Sequence, residues 1–171
     1  MSPSAALGIL PMASRPRAPA RSPLWRQDQI MRNTSPADLW ETRMAFEPQL
    51  TRLAALHATP RELEHIAELH AASQPTVYDR SIDVALHRAI ARASHNALGA
   101  FLVDRIAGIT LDPSFVGRTP PLTDETGYDH HDALVSALMA RDAARAERMM
   151  MTHLRAITLW ASGLAQGGEI R

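Results

Sequence analysis

From residue 35 onward, apolar positions return every three or four residues, the period of a helix with one buried face. Leu39, Phe46, Leu50, Leu53 and Ala54 make the first such stripe. Ser35 precedes it as an N-cap, and Pro36 takes the first helical position, where a missing amide hydrogen is no loss. Pro48 falls inside the segment and predicts a kink or a junction. Thr59-Pro60-Arg61-Glu62 opens a second helix as a capping box, after which Leu63, Ile66 and Leu69 face inward. Gln74 and Pro75 break the pattern. A third helix from about Tyr78 to Ser94 carries Ile82, Leu86 and Ile90 as its core stripe. Asn96 is expected to end it, and a fourth helix follows with Leu98, Leu102 and Ile106. Asp112 to Pro121 is a loop, broken by Pro113, Gly117, Pro120 and Pro121. Two last helices run from about Asp129 to Ala140 and from Asp142 to Ser162. No segment alternates with a strand period and none repeats. The predicted fold is all-α, an antiparallel bundle of about six helices.

Residues 1–35 do not share this pattern. Arg15, Arg17, Arg21, Arg26 and Arg32 stand there against a single acid, Asp28, among several prolines, so the stretch is expected to be a flexible basic leader. The short apolar stretch Ala5 to Leu10 has no positive charge before it, which fits a secretory signal poorly. The expected organisation is therefore a leader over 1–35, one helical domain over 36–163 and a short tail over 164–171. No apolar run approaches the roughly 20 residues needed to cross a bilayer, so the domain is expected in the cytoplasm.

The composition then narrows the chemistry. There is no cysteine, so disulfides and thiolate metal sites are excluded and any metal must be held by histidine and carboxylate. The formal net charge is zero, which gives no global attraction for a polyanion. Asp83 and His87 are four apart, so their side chains stack on one helix face, flanked by Ile82, Leu86 and Ile90. A carboxylate beside an apolar core needs a counter-charge. His131 and His153 also fall on apolar helix faces, the latter amid Met149, Met150, Leu154 and Ile157. A single histidine on such a face is ordinarily a hydrogen-bonded core residue. Three of them with one aspartate, on three helices of one small bundle, make a donor set for Zn²⁺, Ni²⁺, Mn²⁺ or Fe²⁺.

Three stretches resemble one known family. Glu41-Thr42-Arg43 to Phe46-Glu47-Pro48, followed by Leu53-Ala54-Ala55, is similar to the opening of the FCD domain. Asp83-x-x-x-His87 with Ile90-Ala91-x-Ala93-Ser94-x-Asn96 resembles its central signature. His131, Asp142, Ala146, Met149 and His153 resemble its closing pattern. That domain is the effector-binding module of the FadR-type branch of GntR-family bacterial transcription regulators. The resemblance covers about residues 36–163. It implies that Asp83, His87, His131 and His153 hold a divalent metal (Zn, Ni or Mn) in a pocket inside the bundle. It also implies that the open positions of that metal take water or a small carboxylate effector. Arg43 matches an arginine that faces the pocket and would pair with an effector carboxylate, and Asn96 matches an asparagine that would reach the effector, or alternatively C-cap a helix. A homodimer is implied as the working unit.

The sequence departs from the family in three places. The usual phenylalanine before the second ligand is Leu86. An acidic residue before the third is replaced by His130, and adjacent helical side chains diverge by about 100°, so only one of His130 and His131 can face the pocket; the spacing to Asp142 and His153 selects His131. Finally, the family's N-terminal winged helix-turn-helix has no counterpart pattern in residues 1–35, so contact with DNA is expected only through a domain missing from this chain. Asp142 is expected to cap the last helix. The reading that follows is a metal-assisted sensor of a small organic acid, not an enzyme. Two alternatives stand beside it: a hydrolase-like metal enzyme, since His131-Asp132 echoes HD-type phosphohydrolases, and a helical dimerisation domain with a vestigial site. Against the enzyme, Asp132 should turn away from His131, and the pocket residues leave no general base.

Overall fold

The computed structural model describes residues 27–73, 78–116 and 124–161. Among them are eight helices and no strand: α1 Gln27–Asn33, α2 Pro36–His57, α3 Pro60–Ala71, α4 Arg80–Ala93, α5 Ala97–Thr110, α6 Pro113–Val116, α7 Asp124–Met139 and α8 Ala143–Ala161. The six long ones are those the periodicity predicts. The additions are α1, which turns the end of the expected leader into a helix, and α6, a single turn within the expected loop. The expectations for Gln74 and Pro75, for Gly117, Pro120 and Pro121, and for the tail over 164–171 lie outside the described residues.

Helix ends follow the capping chemistry. Asp38 N–H donates to Ser35 Oγ at 3.1 Å, and Ser35 N–H donates to the Asp38 carboxylate at 2.8 Å. Thr59 and Glu62 repeat the device at the start of α3. Asp142 accepts from Arg145 N–H at 2.9 Å and so starts α8. Between α7 and α8, Arg141 takes φ +53°, and Asp142 N–H reaches back to Ala137 C=O, the Schellman arrangement that usually calls for glycine. The arginine is used there: its guanidinium donates to Ala58 C=O at 2.8 Å, closing the end of α2.

Two expectations are corrected. Of the kink or junction expected at Pro48, the junction does not occur: α2 runs through it, with the ring fully buried. Here α2 lies along α8, and burial on that neighbour outweighs the lost backbone bond. The second correction concerns α5. Leu98 is 69% exposed and Leu102 41%, whereas Gly99, Val103 and Ala107 are buried. The stripe has the expected period but sits one residue further on. Because α5 is apolar on both faces, the pattern alone cannot choose between them. Gly99 marks the buried side, because a Cβ there would overlap Leu50 Cδ2 of α2 and force that side chain to shift.

The main core joins α2, α3, α4, α7 and α8 through Ala54, Leu63, Ile66, Leu86, Ile90, Leu134, Leu138, Met150 and Leu154, all nearly inaccessible. A second cluster of Leu39, Trp40, Ile109, Phe115 and Ile157 closes one end of the bundle. Between them, a row of buried polar side chains crosses the interior.

Replacing Gly99 with alanine is expected to lower unfolding stability in urea by roughly 1–3 kcal/mol through overpacking against Leu50. Combined with Leu50→Ala, which removes the obstructing atoms, the two changes should cost clearly less than their sum. Strict additivity would show that α5 and α2 do not meet at this pair.

Candidate metal and effector site

The buried polar row begins on α2. Arg43 and Glu47 are four apart on the same face as Leu50 and Ala54, which turns both into the bundle, each under 5% exposed. Arg43 Nε donates to Glu47 Oε1 at 2.6 Å and Nη2 to Oε2 at 3.3 Å. The Trp40 ring lies against the guanidinium, 5.1 Å from its centre. Across from them, α4 presents Asp83 and His87, α7 presents His131 and α8 presents His153, all buried.

Four donor atoms of these last residues converge within 4.8 Å of one another. His153 Nε2 lies 3.3 Å from His87 Nε2 and 3.2 Å from His131 Nε2. Asp83 Oδ1 stands 3.4 Å from His131 Nε2 and 3.7 Å from His87 Nε2. It is buried and has no hydrogen-bond partner. On the far side of its ring, His87 Nδ1 lies 2.7 Å from Glu47 Oε2 and 3.0 Å from Arg43 Nη2. The arginine has only donors, so the shorter contact defines the bond: Nδ1–H donates to Glu47 and the Nε2 lone pair faces the cluster.

Electrostatics keep His131 and His153 neutral. Burial pushes His131 down to about 4 despite the attraction of Asp83. It pushes His153 well below the usual histidine range, with His131 and His87 adding to the effect. Glu47 is held down to about 2: burial alone would raise it, but the charge of Arg43 and the hydrogen bonds from His87 and Arg43 prevail. Burial also opposes the charge on Arg43, and Glu47 more than restores it. Beside Asp83, burial and that carboxylate push the Tyr78 hydroxyl above its ordinary range.

The donors fit a divalent ion. Two ligands about 2.1 Å from one ion, at bond angles of about 90–110°, lie roughly 3.0–3.4 Å apart, which is the spacing of His153 Nε2 from the Nε2 atoms of His87 and His131. A proton shared between two of those nitrogens leaves the third, and Asp83 Oδ1, without a partner. One cation would satisfy all four. Asp83, His87, His131 and His153 are therefore brought together as the sequence predicts, and Arg43 lies beside them. His130 stays outside the quartet, edge-on to His153 with ring centroids 6.2 Å apart. Asp132 turns away to His70, 3.3 Å from its Nε2. Asn96 is the expectation that changes most. It neither ends α4 nor reaches the cluster; it is exposed and N-caps α5, accepting from Gly99 N–H at 2.9 Å. A short polar side chain just before a helix finds the free amides of the first turn nearer than anything in the core.

Glu47 is the residue that sequence reasoning missed. It stood there only as one letter of an opening motif, although its four-residue spacing from Arg43 on an inward face marks a buried ion pair.

With the protein freed of metal by chelation, stability should fall as pH drops from 6.5 towards 4. His131 titrates near 6.5 unfolded and about 4 folded, so the unfolded chain binds more protons across that window and stability rises with pH. His153, also depressed, acts in the same direction. The loss should be on the order of 3 kcal/mol from His131, read as a falling urea midpoint, and should shrink in His131→Gln. A midpoint flat between pH 6.5 and 4 would rule out neutral buried imidazoles.

The sequence model of the FCD domain matches residues 38–156, well over half of the chain. The HTH-type transcriptional repressor NanR of Salmonella newport is 29% identical over 126 residues, spanning 69% of this chain and 48% of that repressor. The repressor of the same name from Salmonella arizonae is 28% identical over the same length, spanning 47% of it. The chain thus spans about half the length of these curated relatives. Domains of this kind belong to transcription regulators, and none of the helices described here is long and apolar enough to cross a membrane. With its all-α bundle and its match over residues 38–156, this chain belongs to the FCD domain family of GntR-type transcription regulators.

Proposed function

We propose that residues 36–163 form a metal-assisted sensor of a small organic acid. The observation that carries this reading is the convergence of Asp83 Oδ1 with three imidazole nitrogens in a buried cluster where the carboxylate oxygen has no other partner. Asp83, His87, His131 and His153 would hold the ion, with Zn²⁺, Ni²⁺ or Mn²⁺ all compatible with a carboxylate and neutral imidazoles. When bound, the ion supplies a Lewis-acid position for an oxygen ligand.

Charge supports an anionic effector. Two carboxylates, Glu47 and Asp83, stand against Arg43 and a divalent ion, and this leaves one positive charge over in a site closed to water. A single carboxylate would neutralise it. Glu47 engages Nε and Nη2 of Arg43, so Nη1 is the group to offer an effector. Such a ligand would link α2 to α4, α7 and α8 and favour one arrangement of the bundle over another, a population shift. In a full-length cytoplasmic regulator that shift would pass to a paired second copy. It would then reach DNA through a winged helix-turn-helix, which residues 36–163 do not supply.

Metal content measured by mass spectrometry on untagged protein should give about one divalent ion per chain, lost in His87→Ala and in His153→Ala. Sugar acids and hydroxy acids should then raise the melting temperature of the metal-loaded protein, with a smaller rise in Arg43→Gln and none after chelation. A wild type that arrives without metal and takes up no added Zn²⁺, Ni²⁺ or Mn²⁺ would end this reading.

A further inference from the structure

We propose that Glu47 is the positioning residue of the site: its carboxylate fixes the tautomer of His87 and ties that ligand to Arg43. The proposal rests on the metal reading above and adds a residue to it from a different helix.

The carboxylate is fully engaged on both oxygens. Oε1 accepts from Arg43 Nε, and Oε2 accepts from His87 Nδ1, with Arg43 Nη2 also within 3.3 Å of Oε2. All three residues are at most 4% exposed, so water does not compete for these bonds. A histidine with its proton held on Nδ1 has only its Nε2 lone pair left to give, and that nitrogen faces His153 and Asp83. A carboxylate behind a ligating imidazole sets the ring's orientation and raises its basicity. Here the same carboxylate also holds the arginine that would meet an effector. The anion-binding group and one metal ligand therefore share a single partner.

Glutamine in its place separates this role from a plain salt bridge. It has the same length but only one acceptor oxygen, which the charged guanidinium would claim. Its NH₂ would then face His87 Nδ1 and make that nitrogen an acceptor, driving the proton to Nε2, where it blocks the metal. A residue that merely braced Arg43 would leave the tautomer unmoved.

The test is long-range proton–nitrogen NMR on histidine-labelled, chelator-treated protein, paired with Zn²⁺ affinity by chelator competition. In the wild type His87 should carry its proton on Nδ1. In Glu47→Gln it should carry it on Nε2, with Zn²⁺ binding roughly 10–100-fold weaker and an unchanged helical circular dichroism spectrum. Should that variant fail to fold, the wild-type tautomer decides: a proton on Nε2 overturns the proposal. A wild type that binds Zn²⁺ no more tightly than Glu47→Gln overturns the role of Glu47 alone. A wild type that binds no Zn²⁺ overturns the metal reading and this role with it.

Discussion

A carboxylate buried beside an apolar core must find a counter-charge or surrender its own, since bare ionisation there costs several kcal/mol. Among the described residues two are buried, Glu47 and Asp83, and they are settled differently. Glu47 lies between the guanidinium of Arg43 and the Nδ1–H of His87, so both oxygens are engaged. Asp83 faces three imidazoles, and its Oδ1 finds no donor. The first arrangement is complete within the protein, whereas the second is an open valence directed into the bundle. The rest of the interior is arranged around that difference.

The surrounding architecture explains how the donors are held in place. Asp83 and His87 share a face because they are one helical turn apart on α4, whose Leu86 and Ile90 anchor it in the main core. His131 and His153 stand close to core leucines on their own helices, Leu134 and Leu154. Each ligand is thus fixed by packing on its own element, and the burial that positions the rings of His131 and His153 also keeps them neutral. The site draws on α2, α4, α7 and α8, so a ligand bridging Arg43 and the quartet acts on most of the fold at once. That is the physical requirement for a sensor: an effector must bind two arrangements of the elements unequally.

A good part of this was legible in the chain. The Ser35 N-cap, the Thr59 capping box, the Asp142 cap and the inward stripes of α3 and α4 are local chemistry, and they appear where the residues place them. The quartet was legible too, from the four-residue spacing of Asp83 and His87 and from a family pattern that selects His131 over His130. What escaped was information held in pairs distant along the chain. Nothing near Glu47 reveals that it stands behind His87, forty residues away. Asn96 is the exception: its partner is local, the Gly99 amide three residues on, which holds it at the start of α5 and out of the core. The α5 stripe slipped by one residue because both of its faces are apolar.

The sequence by itself determined the helical segments, their caps and the donor types available, because those depend on contacts within a few residues and on composition. It also excluded thiolate chemistry outright. Tertiary structure decided which apolar face of α5 is buried, that α2 continues through Pro48, and which nitrogen of His87 is free to bind. These outcomes depend on close approach between helices: Gly99 against Leu50, α2 along α8, and Glu47 against an imidazole at 2.7 Å. Periodicity assigns a residue to a face, but only packing determines which atoms meet there.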